Sequence, residues 1–144
     1  MAVPTSLSGG CLCGAVDYSC AAPPLSMVNC HCRDCQKWSG GTYSPTVVVP
    51  AESLEITDGQ LRSYTLRADS GAEATRQFCP ACGSQLFAFS SARPERIGIK
   101  AGSLDDPRWF KPTADVWVSR AQPWDTLDAT IAKISEGRPA PHQG

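Results

Sequence analysis

Three of the chain's eight cysteines lie within six residues, in the stretch Cys30-His31-Cys32-Arg33-Asp34-Cys35. Two further pairs lie on either side of it, in the stretches Cys11-Leu12-Cys13 and Cys79-Pro80-Ala81-Cys82. Two thiolates that are one or two residues apart can reach the same tetrahedral zinc ion, at Zn–S distances of about 2.3 Å. The three stretches together therefore predict zinc coordination.

The number of clustered cysteines predicts two different zinc sites. Structural zinc takes four protein ligands, whereas catalytic zinc has three and keeps one position for water or substrate. The two outer pairs combine into a four-cysteine cluster: Cys11, Cys13, Cys79 and Cys82. The middle stretch supplies a three-cysteine cluster: Cys30, Cys32 and Cys35. We therefore expect two zinc ions per chain, one in a closed site and one in an open site.

The residues alone leave other ligand sets open. One regrouping places Cys32 and Cys35 with Cys79 and Cys82, and leaves Cys11, Cys13 and Cys30 for the second ion. Alternatively, the three-cysteine cluster holds a second structural zinc, with His31, an acidic side chain or Cys20 as the fourth ligand. We expect His31 to be buried beside the site rather than to bind metal, because strand alternation points it to the opposite face from Cys30 and Cys32. We expect Cys20 to be a small buried hydrophobic residue.

The composition predicts a globular protein with a small partner. Hydrophobic residues make up 42% of the 144 residues and charged residues 19%, which fits a single domain. A frayed tail is expected at residues 137–144. The formal net charge is −1 and no basic block is present, which argues against nucleic acid and a membrane surface as partners.

The cysteine content and the N-terminus favour the cytoplasm. Eight cysteines in 144 residues are fewer than a disulfide scaffold of this length contains. The first ten residues lack the basic and apolar segments of a secretion signal, and no apolar run approaches the length of a membrane span. Thiols stay reduced in the cytoplasm, where clustered cysteines bind metal or do chemistry.

The pattern of short β-branched segments punctuated by Gly, Pro and Asp predicts a mainly β fold of small antiparallel sheets. Asp58-Gly59 is a hairpin signal between two such segments. Only two helices are expected, a short one over Arg33–Ser39 and a second over residues 127–136.

The cysteine stretches with their neighbours resemble the glutathione-dependent formaldehyde-activating enzyme family, also called the centromere protein V domain. The resemblance rests on three motifs: Gly10-Cys11-Leu12-Cys13-Gly14-Ala15-Val16, Cys30-His31-Cys32-Arg33-Asp34-Cys35-Gln36-Lys37-Trp38-Ser39-Gly40 and Phe78-Cys79-Pro80-Ala81-Cys82-Gly83-Ser84-Gln85-Leu86. The resemblance covers about residues 7–125, which are the expected core of the domain. It implies a zinc-binding β-tent fold, with the four-cysteine cluster holding structural zinc and the three-cysteine cluster holding catalytic zinc. The activity it implies is the formation of S-hydroxymethylglutathione from formaldehyde and glutathione, a carbon–sulfur lyase reaction in reverse.

Three hypotheses about function follow. The first is a zinc-dependent carbon–sulfur lyase acting on a glutathione or other thiol adduct of formaldehyde or another small aldehyde. The second is a non-catalytic zinc module that binds a protein partner, and the third is a thiol redox or metal-handling protein. The fourth position on the three-cysteine metal separates the first two, because an enzyme leaves it open and a structural module fills it with a side chain.

Overall fold

The computed structural model describes residues 1–68 and 70–137, in which strands predominate. These residues form eleven strands: β1 (Leu7–Gly10), β2 (Asp17–Cys20), β3 (Ser26–Cys30), β4 (Ser44–Pro50), β5 (Leu54–Asp58), β6 (Arg62–Arg67), β7 (Glu73–Phe78), β8 (Gln85–Ser90), β9 (Arg96–Lys100), β10 (Ala114–Val116) and β11 (Ala132–Ile134). They contain one α-helix, α1 (Arg33–Ser39), and four single-turn 3-10 helices: Ala51–Ser53, Ala101–Ser103, Pro107–Trp109 and Val118–Arg120. The predicted mainly β class with little helix is confirmed.

The chain divides into two compact units. The first consists of residues 1–26 and 47–110, and the second of residues 27–46 and 111–137 as far as the chain is described. The single domain expected from the sequence stays a prediction. Of the tail expected to be frayed, residues 138–144 lie outside the described residues.

The first unit contains a three-stranded antiparallel sheet in the order β1-β2-β5. Tyr18 at its centre is 1% exposed, and its ring meets that of Phe87 edge to face at a centroid separation of 4.9 Å. Such aromatic pairs add about 0.5–1.5 kcal/mol beyond the burial of their area. The Tyr18 hydroxyl is hydrogen-bonded to the Ser103 hydroxyl at 2.7 Å, so burial leaves its polar end with a partner.

Strands β6 to β9 of the first unit form an antiparallel ladder. The register of β7 and β8 shifts between Gln77 and Phe78, and Phe78 then lies opposite Gln85. The connection between the two strands therefore consists of residues 79–84, which contain the second outer cysteine pair. The hairpin thus fixes that pair at the end of two hydrogen-bonded strands.

The second unit is built differently, because β3, β10 and β11 pair in parallel rather than antiparallel. Its small core contains the buried residues Val28, Ala114 and Val116, with Trp117 and Ile134 packed against them. Cys30 also packs against this core, at the end of β3. The three-cysteine cluster therefore begins where a buried strand ends.

Two local predictions from the sequence are wrong. Residues 127–136 contain no α-helix; β11 lies there and pairs with β10. Asp128 accepts hydrogen bonds from the backbone N–H and the hydroxyl of Thr130 at 2.9 and 2.6 Å, a turn that competes with helix formation. The segment before Asp58-Gly59 pairs with β2, and the segment after it pairs with β7, so the two do not form a hairpin.

The membrane prediction can be compared with the helix lengths. In the part of the chain that the structure describes, no helix is both long and apolar enough to cross a bilayer.

Candidate metal centres

The first half of the four-cysteine cluster lies in a turn that follows β1. The carbonyl of Cys11 accepts a hydrogen bond from the N–H of Gly14 at 3.2 Å, and Gly14 has φ of +81°, which a residue without Cβ adopts freely. The sulfur of Cys11 accepts another from the N–H of Val16 at 3.2 Å. This glycine turn, rather than the alternation of a strand, directs both sulfurs toward one point.

The second half is the connection between β7 and β8. Cys79 donates its N–H to the carbonyl of Ser84 at 3.0 Å and accepts a bond from the N–H of Gly83 at 2.9 Å. These two bonds close a tight turn over the Cys-Pro-Ala-Cys-Gly motif, in which Gly83 has φ of +76°. The Ser84 hydroxyl accepts a hydrogen bond from the N–H of Leu12 at 2.9 Å, which ties the two cysteine turns together.

The four sulfur atoms all lie within 4.8 Å of one another. Cys13 Sγ is 3.6 Å from Cys11 Sγ and 3.8 Å from Cys79 Sγ. A tetrahedron of sulfurs with Zn–S distances of about 2.3 Å has edges of about 3.8 Å, whereas a disulfide brings sulfurs to about 2.05 Å. The cysteines are free thiols, and their spacing fits a tetrahedral metal ion.

The charge distribution in this cluster is uneven. Hydrogen bonds from the hydroxyl and backbone N–H of Ser84 lower the pKa of Cys82 to about 5. Although the backbone N–H of Ala15 lowers it, the neighbouring Cys11 and the other thiols of the cluster raise the pKa of Cys13 to about 11. Neighbouring thiols thus resist a second negative charge, and a bound cation is what allows them all to ionise.

The three-cysteine cluster forms at the junction of β3 and α1. Cys30 ends the strand, Cys32 caps the helix, and Cys35 lies in the first helical turn. The Cys32 sulfur accepts a hydrogen bond from the N–H of Cys35 at 3.3 Å, as a helix-capping group does. The three sulfurs lie within 4.8 Å of one another, so strand end and helix start together supply three ligands for one ion.

The proximity of these sulfurs affects their ionisation. The adjacent Cys32 and Cys35 thiols, together with burial, raise the pKa of Cys30 far above its ordinary value. Three thiolates therefore do not coexist here without a cation. In the described part of the chain, no His, Asp, Glu or further Cys joins this group. The donors present thus fit a metal ion with three protein ligands.

His31 belongs to a separate buried cluster. Its side chain is 1% exposed, with Nε2 2.9 Å from Asp115 Oδ1 and Nδ1 3.4 Å from Asp125 Oδ2. Burial raises the pKa of the Asp115 carboxyl, but the hydrogen bonds from His31, Lys133 and Asn29 together hold it below its ordinary value. The imidazole therefore lies between two carboxylates and not among the sulfurs, in the buried position that strand alternation predicts.

Gln36 is a structural residue of this site that the sequence analysis did not identify. Its side chain is buried, and Nε2 donates to the carbonyl of His31 at 2.7 Å and to the carbonyl of Arg120 at 2.9 Å. Its Oε1 accepts from Gln122 Nε2 at 3.0 Å and from Arg33 Nη1. No sequence signal indicates these contacts, because two of the partners lie more than 80 residues away.

The remaining candidate behaves as a core residue. Cys20 is 1% exposed, and its sulfur contacts the carbonyl of Ala22 at 3.7 Å. It belongs to neither group of sulfurs. In the structure Cys79 and Cys82 lie with Cys11 and Cys13, as in the four-plus-three grouping, and not as in the alternative regrouping.

Comparison with known proteins places these clusters in a family. A profile of the family described as "Glutathione-dependent formaldehyde-activating enzyme" matches residues 6–120. The chain belongs to this family. The segment that matches the glutathione-dependent formaldehyde-activating enzyme family contains all seven clustered cysteines.

A solved structure resembles the chain as well. The crystal structure of a Rhodobacter sphaeroides protein is similar to it with a TM-score of 0.58 and 23% sequence identity. The similarity covers 71% of this chain and 93% of the other. At this identity the likeness concerns the fold alone.

Proposed function

We propose that the protein is a zinc-dependent carbon–sulfur lyase-type enzyme that acts on the adduct of glutathione, or another thiol, with formaldehyde or another small aldehyde. The observation that carries the proposal is the three-cysteine cluster, which no fourth ligand joins in the described residues. Zinc with three protein ligands keeps a coordination position for an exogenous group. Membership in the family supports glutathione and formaldehyde as the substrate pair.

The two clusters have separate roles in this proposal. The four-cysteine cluster holds structural zinc, since its sulfur spacing fits a closed tetrahedron and it ties two turns of the first unit together. The three-cysteine cluster holds the second zinc and is the reaction site. Zinc suits both, because thiolate-rich sites favour it over harder metals.

The reaction forms one bond and moves one proton. The thiol loses its proton and its sulfur bonds to the aldehyde carbon. The π bond of the carbonyl breaks, and its oxygen keeps the electron pair and takes up a proton to become a hydroxyl group. Cleavage of the adduct is the reverse. When bound at the three-cysteine cluster, zinc stabilises an incoming thiol as the thiolate or polarises the carbonyl.

The chain's own residues hold the site in place. Gln36 fixes the backbone carbonyl of His31, the residue between two of the cysteines. The N–H of His31 donates to the carbonyl of Val116 at 2.9 Å, and its ring Nε2 is hydrogen-bonded to Asp115 Oδ1 at 2.9 Å. These contacts hold the backbone and the ring of His31, the residue that separates Cys30 from Cys32. The sulfurs are therefore positioned before a metal or substrate arrives.

Elemental analysis of zinc before and after glutathione treatment tests the proposal. The expected result is two zinc ions per chain at rest, with glutathione followed by desalting perturbing or removing only one. Cys32→Ser should remove that response, whereas the matched variant Cys20→Ala, which changes a thiol outside both clusters, should keep it. Two zinc ions indifferent to glutathione would favour the non-catalytic zinc module instead.

Turnover needs a separate assay. Exchange between formaldehyde, glutathione and S-hydroxymethylglutathione can be followed by NMR, with the uncatalysed addition subtracted. We expect acceleration by wild type and Cys20→Ala and none by Cys32→Ser. Equal rates with all three proteins, after subtraction, would contradict an enzymatic role.

A further inference from the structure

An open metal site is expected to be more exposed than a closed one, but the two clusters of this chain differ in the opposite sense. Cys13 of the four-cysteine cluster is an exposed residue, and its neighbour Leu12 is 87% exposed. In the three-cysteine cluster no residue is exposed, and Cys35 is buried. The cluster with the full ligand set is therefore the one that contains an exposed cysteine.

The sulfur of this exposed cysteine also has partners at short range. Cys11 Sγ lies 3.6 Å from Cys13 Sγ, and Cys79 Sγ lies 3.8 Å from it. A thiol that becomes oxidised can condense with a neighbouring thiol when the two sulfurs can approach to bonding distance, which here requires a movement of less than 2 Å. Cys13 thus combines access for an oxidant with resolving thiols beside it.

We propose that Cys13 is the site at which hydroperoxides oxidise this protein, and that its oxidation releases the zinc of the four-cysteine cluster. The inference rests on the zinc assignment in the proposed function and not on the lyase reaction. The Cys13 thiolate attacks one peroxide oxygen, the O–O bond breaks, and the sulfenic acid forms while hydroxide or an alkoxide leaves and takes up a proton from water. Cys11 or Cys79 then attacks the sulfenic sulfur, a disulfide forms, and the oxygen leaves as water after protonation.

Loss of two thiolates removes two of the four ligands of the ion. A closed tetrahedral site cannot hold zinc tightly with two thiolates left, so the metal passes to a chelator in solution. The three-cysteine cluster keeps its thiols and its metal, because none of its three cysteines is an exposed residue. Hydroperoxide therefore releases the zinc of the four-cysteine cluster and leaves the metal of the three-cysteine cluster bound.

The test uses the zinc-loaded protein, hydrogen peroxide and a zinc-responsive chelating dye. About one equivalent of peroxide should release about one of the two zinc ions, and peptide mapping should find a disulfide from Cys13 to Cys11 or Cys79. Cys30, Cys32 and Cys35 should be recovered as thiols. The control variant Cys20→Ala should behave as wild type, and Cys13→Ser, if it folds with zinc, should release it more slowly.

Several results would overturn the inference without a functional variant. Zinc released first from the three-cysteine cluster, with Cys13 recovered as a thiol, would show that exposure does not determine reactivity here. Release without any Cys13 modification would do the same. A protein that holds no zinc before oxidation would refute the shared zinc assignment, while indifference to glutathione with normal peroxide response would refute only the proposed reaction.

Discussion

Replacing Gln36 by Met is a sharp test of how the three-cysteine cluster is held. Methionine has nearly the same length, so the change removes polar contacts with little change in volume. Two backbone carbonyls, of His31 and Arg120, lose their side-chain donor. A hydrogen bond contributes about 1 kcal/mol net, and a buried group left without a partner costs about 1–3 kcal/mol. We expect the free energy of unfolding to fall by about 2–4 kcal/mol.

Urea unfolding at fixed free zinc measures this change. With an m value on the order of 2 kcal/mol per molar urea, the midpoint should fall by about 1–2 M. Zinc competition with a chelator should also show weaker binding at the three-cysteine cluster, and unchanged binding at the other cluster. Free zinc must be held constant, because a ligand that binds only the folded state raises its apparent stability.

A matched variant separates the network from the helix itself. Gln122→Ala removes the bond that Gln36 Oε1 accepts at 3.0 Å and leaves both donated bonds in place. It should lower the free energy of unfolding by only about 1 kcal/mol. If Gln36→Met had the same free energy of unfolding as wild type, or lost no more of it than Gln122→Ala, the hydrogen-bond network of Gln36 would not position the site.

Further changes probe other parts of the chain. Cys82→Ser should lose the structural zinc and much of the fold, because structural metal binding is coupled to folding, whereas Cys32→Ser should lose the second zinc and remain folded. Zinc analysis and circular dichroism measure both effects. Identical melting of the two variants would contradict separate roles for the two clusters. Gly59→Ala should lower the free energy of unfolding by about 1–3 kcal/mol, because Gly59 has φ of +83° and an added Cβ would lie 2.1 Å from the carbonyl oxygen of Ala15. If urea unfolding found the variant as stable as wild type, the turn would have shifted to accommodate the new side chain. Burial raises the pKa of Tyr18, so the folded state keeps the phenol proton above the unfolded pKa of about 10, and the protein loses stability as the pH rises beyond that value. The free energy of unfolding of Tyr18→Phe should therefore decline less steeply between about pH 10 and 11. Parallel plots of unfolding free energy against pH for the two proteins would exclude this contribution.

The sequence predicts those features whose signals are local. The helix over Arg33–Ser39 has the expected bounds, since Cys32 caps its start and Gly40, at φ of +77°, ends it. The turn over residues 79–83 is recognisable for the same reason, because its two cysteines and its glycine lie within five residues. Neither feature depends on which distant segments of the chain meet.

Features decided by distant pairing could not be predicted in this way. The Asp58-Gly59 signal is real, as Gly59 has positive φ, but the strand before it finds its partner in β2 about 40 residues earlier. A helix is expected over residues 127–136, yet residues 132–134 pair with β10, and this pairing outweighs a weak helix propensity. The buried carboxylates around His31 come from positions 115 and 125, and neither residue carries a mark of that contact in the sequence.

The separation of Cys13 and Cys79 in the chain has a consequence for the order of assembly. These residues are 66 positions apart, so a metal that joins them closes a long loop and restricts the unfolded chain by about 4 kcal/mol, in the manner of a disulfide. The three-cysteine cluster closes a loop of only five residues, for which the same relation gives about 2 kcal/mol. It also lies inside the longer loop. On a ribosome the inner site is complete once residue 35 has emerged, whereas the outer site must wait for residue 82, and an ion bound early can therefore organise the inner turn before the outer cross-link exists.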